Sequence, residues 1–200
     1  PSTTSSHVKT ITLMDDGRLL VLTKSFVSII DIEAGTAERQ PQFSRIIDEY
    51  ELESMYMLSG KVYFTDNSCL ISVHFNGKNK RTNCVSSDVE LSVLSGNLKD
   101  LNELFIESDK GFAVYNVKEN DLTHHYVMGN RTDSNKSVNA VVAYKNGYWL
   151  ATGGGLKYWS KTESRVTQEY YSNFSDQYSI NNDYNNALLE SSDGIFWLGN

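Results

Sequence analysis

Five short apolar runs, each closing on a small or polar residue, recur along the chain at nearly constant spacing. They are Leu20–Thr23, Val62–Thr65, Phe105–Ser108, Trp149–Thr152 and Trp197–Asn200; their last positions (23, 65, 108, 152, 200) step by 42, 43, 44 and 48 residues. Random clustering of apolar residues does not hold such a spacing four times, so the chain is built of repeats of forty-odd residues. Turn residues precede most of the runs: Asp15-Asp16-Gly17, Ser59-Gly60, Lys145-Asn146-Gly147 and Ser192-Asp193-Gly194. A second apolar run follows each of the first four after a short gap, as in Val27–Ile32, Cys69–Val73, Gly111–Tyr115 and Gly155–Trp159, and then another turn. Short strands punctuated at this density make an antiparallel sheet.

The second strand of each unit is apolar at consecutive positions, most clearly Leu19–Leu22 and Tyr148–Ala151. Consecutive apolar residues require cover on both faces, which sheets stacked radially supply to one another. The expectation is an all-β fold, a β-propeller fragment of about four and a half four-stranded antiparallel blades. It forms a single segment over 1–200, with blades at about 8–44, 45–86, 87–130 and 131–175 and a partial one at 180–200. The segment is expected to be an excerpt of a larger propeller, or a fragment completed by another copy, since an open arc leaves apolar faces and strand edges uncovered. Two stretches carry a partly helical spacing: Ile46, Ile47, Tyr50 and Ser54, then Leu98, Leu101, Leu104 and Phe105. Both occupy the slot of a first strand or its approach, and the repeat phase favours strand at each.

Composition narrows the class of function. With 40% hydrophobic and 12% aromatic residues the chain carries too much apolar matter to stay disordered. Eighteen basic against twenty-five acidic side chains leave a net charge of −7, which argues against nucleic acid as a partner of this segment. No apolar run reaches the length that crosses a bilayer, so no membrane contact is expected through this segment. The chain opens on Pro1 and polar Ser and Thr residues, so any targeting segment is expected outside it.

Residues 185–200, Asn-Asn-Ala-Leu-Leu-Glu-Ser-Ser-Asp-Gly-Ile-Phe-Trp-Leu-Gly-Asn, resemble the repeat of two-component regulator propellers: asparagine, apolar strand, acidic-Ser-Asp-Gly turn, then Leu-Trp-Ile-Gly-Thr. Residues 146–158, with Tyr148-Trp149-Leu150-Ala151-Thr152 and the Gly153-Gly154-Gly155-Leu156 continuation, resemble the same motif. The first three units agree in phase and turn chemistry but carry Leu20, Val62 and Phe105 in the tryptophan slot. The resemblance implies the periplasmic sensor region of a hybrid two-component histidine kinase of the kind found in gut Bacteroides. The parent chain would then hold further blades, a membrane anchor and a kinase, and many such sensors answer to oligosaccharides. It implies an extracytoplasmic, ligand-sensing module that is not catalytic by itself. A propeller scaffold for protein partners, or a propeller glycan hydrolase or lyase, are the alternatives.

Trp149, Trp197 and Phe105 lie on strands expected to be buried between blades and read as core rather than as sugar platforms. His124 and His125 are adjacent on a strand and face opposite ways, so they cannot grip one metal. No Cys, His and carboxylate spacing suits zinc or calcium, and neither a metal nor a cofactor is expected. Gly153-Gly154-Gly155 lacks the Lys-Ser/Thr of a phosphate loop. No particular Ser-His-Asp set stands out, and Glu49, Glu51, Glu53 and Asp183 are acids of the kind any surface carries.

Chemistry is expected instead on the loops that enter first strands and join second to third. Three of these mix Asn, Asp and Arg with aromatics: 45–50, 130–136 and 178–185. Such groups supply the paired donors, acceptors and stacking faces that sugar hydroxyls and rings need. The candidate ligand-binding residues are Arg45, Asp48, Tyr50, Arg131, Asn135, Tyr178, Asn182, Asp183 and Tyr184, with a homodimer as a further partner arrangement. Asn is also the ordinary residue of a solvated turn, so each has a bland reading beside the functional one.

Cys69 and Cys84 form the candidate disulfide. A two-residue turn at Asn76-Gly77 would place them opposite one another, at a hydrogen-bonded site with Cα atoms roughly 5.5 Å apart. Side-chain directions there are less favourable for a bond, which weighs toward two reduced, partly buried thiols; an oxidising periplasm would permit the bond.

Overall fold

The computed structural model describes residues 7–96, 100, 102–127 and 137–200, the side chains of 93 and 94 aside. The chain divides into two compact units, Pro1–Leu94 and Ser95–Asn200. It is an all-β chain with the architecture of a β-propeller fragment, built among the described residues from four four-stranded sheets and one two-stranded sheet, each meandering in chain order.

In the first unit β1 (Val8–Leu13), β2 (Leu19–Thr23), β3 (Val27–Asp31) and β4 (Thr36–Arg39) form one sheet. A second holds β5 (Leu52–Leu58), β6 (Lys61–Asp66), β7 (Cys69–His74) and β8 (Arg81–Cys84). Burial follows position in the sheet. Residues 20–23 of β2 and 62–65 of β6 are buried without alternation, whereas β4 is exposed throughout. A strand covered on both faces needs apolar residues at every position, and that is how β2 and β6 are written.

The connection from β4 to β5 corrects the strand expected around Ile46. Pro41–Phe43 form a 3-10 turn and Ser44–Glu49 an α-helix, α1. Pro41 stands at the first helical position, where its fixed φ suits the helix and its missing N–H costs nothing. Phe43 and Ile46 are buried, and Ile47 and Tyr50 pack against the same core. Those four positions trace one helical face. Phe43 meets Phe64 and Phe75 edge-on at 5.8 Å each. The helix wins because it satisfies its own backbone hydrogen bonds while delivering this apolar face.

In the second unit, whose boundary falls inside β9 (Leu91–Gly96), β9 joins β10 (Glu103–Ser108), β11 (Gly111–Asn116) and β12 (Asp121–Tyr126). The next sheet holds β13 (Val138–Tyr144), β14 (Gly147–Thr152), β15 (Gly155–Ser160) and β16 (Arg165–Tyr170); β17 (Ala187–Glu190) pairs with β18 (Phe196–Gly199). Leu104 and Phe105, from the second helically spaced stretch, lie in β10, while Leu98 and Leu101 are outside the described residues. The core here is aromatic: Phe105 and Phe112 meet Tyr148 edge-on at 5.5 and 5.2 Å, and Phe112 meets Trp159 at 5.8 Å. Gly111 and Gly155 open the third strand of successive sheets. A Cβ would stand 2.1 Å from the His125 carbonyl oxygen at Gly111 and 2.5 Å from that of Tyr170 at Gly155. The fourth strand therefore comes closer there than any side chain allows.

Phe105 is core as expected, and Trp149 is half-buried against Tyr158, Tyr170 and Phe196. Trp197 departs from expectation, being 63% exposed. Strand alternation turns Phe196 toward Tyr144 and Trp149, so Trp197 takes the other face of β18 with Leu189, its cross-strand partner, which is also exposed.

Cys69 and Cys84 are joined by a disulfide, correcting the reduced pair. The register is the expected one, Cys69 opposite Cys84, but the turn is not. His74 N–H donates to the Lys78 carbonyl and Gly77 N–H to that of His74, closing a loop one residue longer than the expected one. Asn79, with φ 58, is the extra residue that restores the register beyond it. This reverses the parity of the ladder: Val85 N–H donates to Ser68, leaving the cysteines at a non-hydrogen-bonded site with Cα atoms 4.0 Å apart. Side chains approach most closely at such sites, which favours the bond.

Candidate functional site

The expected ligand residues fall into three groups. Arg131 and Asn135 lie outside the described residues. Arg45, Asp48 and Tyr50 belong to the first unit, and Tyr178, Asn182, Asp183 and Tyr184 to the second.

In the first unit the end of α1 and the start of β5 border a groove of about 320 Å³. Lys9, Lys24, Asp48, Glu49, Tyr50 and Glu51 supply its polar lining, so Asp48 and Tyr50 reach it and Arg45, one helical turn earlier, does not line it. The groove exists because α1 ends at Glu49: Tyr50 N–H closes the last turn on the Ile46 carbonyl, and the chain then extends into β5. Lys80 Nζ donates to both Glu49 carboxylate oxygens at 2.7 Å and to the Tyr50 hydroxyl at 3.3 Å. That ammonium holds the Glu49 carboxyl below its ordinary range, and Glu49 in turn raises Lys80. The same Nζ lies 4.9 Å from the Tyr50 ring centroid, so one face of the expected stacking platform already carries a cation. Lys9 Nζ donates to the Leu52 carbonyl at 2.7 Å and pairs with Glu53 at 3.1 Å. The groove is thus a polar lattice of both charge signs, suited to hydrogen-bonding a polar ligand. Lys9 lies in β1 and Lys24 just after β2, neither of them within 45–50, 130–136 or 178–185. Their shared end of the repeat was the available signal.

In the second unit residues 171–186 connect β16 to β17. Asp183 is structural at both its polar groups. Its carboxylate accepts the Ser172 N–H, and its carbonyl accepts Gly155 N–H at 2.6 Å and Asn185 Nδ2 at 2.9 Å. Asn182 Oδ1 accepts the Tyr184 N–H at 3.0 Å, a local Asx turn. Tyr178 and Tyr184 are exposed, 88% and 50%, and present ring faces to solvent. Asn185, buried beside them, anchors the loop: its N–H donates to Thr152 at 3.0 Å, and its carbonyl accepts Asn139 Nδ2 at 2.8 Å. Of the four acids considered for glycoside chemistry, Glu49 pairs with Lys80, Glu53 with Lys9, and Asp183 holds the loop; Glu51 lines the groove.

His124 and His125 take opposite faces of β12. His124 Nε2 hydrogen-bonds the Ser108 hydroxyl at 3.0 Å, while the His125 ring lies 4.4 Å from that of Trp159. Among the described residues no three His, Cys, Asp or Glu side chains form a group that could hold a metal ion, and no helix is long and apolar enough to cross a membrane.

Comparison with solved structures finds this architecture in three settings. The extracellular domain of BT4673 from B. thetaiotaomicron, described in one crystal structure as a one-component and in another as a hybrid two-component system, superposes with TM-score 0.74 at 14% identity, over 100% of this chain and 27% of that one. The extracellular domain of the hybrid two-component system BT3049 from B. thetaiotaomicron gives TM-score 0.67 at 17% identity, over 96% of this chain and 25% of that one. A streptogramin B lyase gives TM-score 0.67 at 13% identity, over 100% of this chain and 64% of that one. The chain therefore spans about a quarter of the length of the two extracellular domains. No protein-family profile and no curated protein matches it.

Proposed function

We propose that this chain is a segment of the extracytoplasmic, periplasmic ligand-sensing propeller of a hybrid two-component histidine kinase. The segment is not catalytic by itself, and its ligand is an oligosaccharide. The observation that carries the reading is the superposition on the extracellular domains of BT4673 and BT3049 over nearly all of this chain. Two features support it: the Asp-Gly…Trp-Leu-Gly repeat of residues 193–199, and the polar, aromatic-bearing stretches 45–50 and 178–185. The remaining blades of the parent propeller are the first partners of this segment. Ligand on the loops signals only if it binds two arrangements of the module unequally.

The test is a panel of purified oligosaccharides titrated calorimetrically against the ectodomain that contains this segment. Saturable binding to one glycan, without its cleavage, is the expected result. Release of reducing ends would turn the reading toward a propeller enzyme, a reading kept alive by the superposition on a lyase. Indifference to every glycan, with capture of a protein or peptide, would make it a scaffold.

A further inference from the structure

The connections 40–51 and 171–186 each carry the chain from the fourth strand of one sheet to the first strand of the next. They use their aromatic residues in opposite ways. In 40–51 Phe43 is buried and Tyr50 packs against the core. In 171–186 Phe174 is fully exposed and Tyr178 nearly so, and neither ring meets another ring or a cation among the described residues. What holds this loop is polar. The Ser179 hydroxyl accepts the Asn173 N–H at 2.9 Å and donates to the Asn173 carbonyl at 3.0 Å. Asn173 Oδ1 accepts the Ser175 N–H at 3.0 Å, and Asp176 Oδ1 accepts the Tyr178 N–H at 2.9 Å. Two backbone turns complete the tip: Asp176 N–H donates to the Asn173 carbonyl and Ser179 N–H to that of Asp176. Phe174 and Tyr178 therefore stand on a backbone fixed by other groups, and a ligand that meets them has little chain left to order.

The composition of the loop selects the ligand. Residues 171–186 hold three Tyr, three Ser and five Asn, with no Lys or Arg. Rigid aromatic faces beside short neutral hydrogen-bonding groups make a recognition loop that binds by contact rather than by charge. An anion finds no cation in it. Its two carboxylates, Asp176 and Asp183, each already accept a backbone N–H. The side-chain amides of Gln177 and Asn181 are exposed and make no hydrogen bond among the described residues, so they offer the paired donors and acceptors that hydroxyls match. A docked protein would want an apolar surround, whereas the exposed neighbours of Phe174 are Asn173, Ser175 and Asp176. A neutral sugar chain meets these conditions, with C–H faces for the rings and hydroxyls for the amides.

We infer that Phe174 and Tyr178 are the stacking platforms for a neutral oligosaccharide, each ring taking the C–H face of a sugar residue while Gln177 and Asn181 bond its hydroxyls. The inference rests on the oligosaccharide reading above and gives it a place in the molecule and a charge class.

The experiment titrates the chain calorimetrically with cellotetraose, xylotetraose and mannotetraose, and with tetragalacturonate as the charged contrast. At least one neutral tetrasaccharide is expected to bind saturably, and tetragalacturonate is not. Phe174→Ala and Tyr178→Ala should each weaken binding about tenfold, as loss of one aromatic contact does. The thermal midpoint should stay where it is, because both side chains project into solvent. Phe174→Tyr, which keeps the ring, should bind as the unaltered chain does. Full affinity in both alanine variants overturns the inference and leaves the oligosaccharide reading standing, with its ligand elsewhere. Silence toward all three neutral glycans, or binding of tetragalacturonate alone, also overturns the inference, and saturable binding of another glycan by the ectodomain would still uphold the wider reading. Capture of a protein that Phe174→Ala abolishes, with the neutral glycans silent, overturns it as well and makes the loop a protein contact.

Discussion

Thr23, Ser108 and Thr152 close the second strand of their sheets, Thr65 stands one residue before the end of its own, and all four are buried. Each hydroxyl has work there. Thr152 Oγ1 donates to the Gly155 carbonyl at 2.7 Å and accepts the Gly154 N–H at 3.1 Å; Thr23 makes the same pair of bonds with Phe26. Thr65 bonds Ser54 at 2.7 Å, and Ser108 bonds His124. At Thr23 and Thr152 the small polar residue that marks the repeat in sequence is thus the clasp of the hairpin that follows, whereas Thr65 ties its strand back to the first and Ser108 ties its strand to the fourth. Thr152→Val, nearly isosteric, should cost about 1–2 kcal/mol in urea unfolding by leaving a buried N–H and carbonyl unpartnered, and Thr152→Ser should keep most of that stability. Glu107, next to Ser108, is 2% exposed; burial pushes its carboxyl up to about 8, although Ser95 donates to it at 3.2 Å. A carboxyl whose folded pKa is raised binds its proton more tightly when folded. Its contribution is therefore full below the unfolded value near 4.5 and is lost as pH rises toward 8. Glu107→Gln should flatten that descending limb and be the more stable protein at pH 8, by an amount on the order of a few kcal/mol, as thermal or urea unfolding across the pH range would read.

At the scale of elements, the outer strand of each sheet is the weakly held one, because exposed strands such as β4 and β8 bury little. The disulfide ties β8 to β7 at the position where Gly111 and Gly155 stand in their own sheets, the first residue of the third strand. The glycines let the fourth strand approach; the cystine binds it covalently. Closing 15 residues should contribute roughly 3 kcal/mol through the unfolded chain. Reduction, or Cys69→Ser with Cys84→Ser, should lower the urea midpoint and raise hydrogen exchange across residues 81–84 before the inner strands respond. The stretch around Ile46 shows where reading by repeat fails. Phe43, Ile46, Ile47 and Tyr50 carry helical spacing in plain sight; repeat phase points to strand there, but a connection between sheets need not keep strand phase.

For the molecule as a whole, the first and last sheets each carry exposed apolar residues among the described ones, beside others such as Tyr126, Tyr170 and Phe174. In the first, Ile11 and Leu13, two residues apart on β1, are 55% and 67% exposed; in the last, Leu189 and Trp197 face each other at 54% and 63%. Such patches at blade faces favour association. Light scattering on size-exclusion peaks should show concentration-dependent oligomers of the 200-residue chain, which Ile11→Lys combined with Trp197→Ser should return to monomer. A monomer at every concentration in the unaltered chain would remove association from the account. Sequence by itself determined the all-β class, the repeat length and the doubly covered middle strands, because period and consecutive apolar residues are properties of the chain that burial merely enforces. Counting from a two-residue turn also places Cys69 opposite Cys84, and that register stands because Asn79 offsets a loop one residue longer. Only the tertiary structure decided that the pair lies at the close-approach site, because the parity of a ladder depends on how its loop hydrogen-bonds. Only the tertiary structure brought His125, Tyr148, Trp159 and Lys161 into one cluster. They come from three strands and a turn of two sheets, each unremarkable where it stands in the chain, and such a cluster arises only when sheets pack.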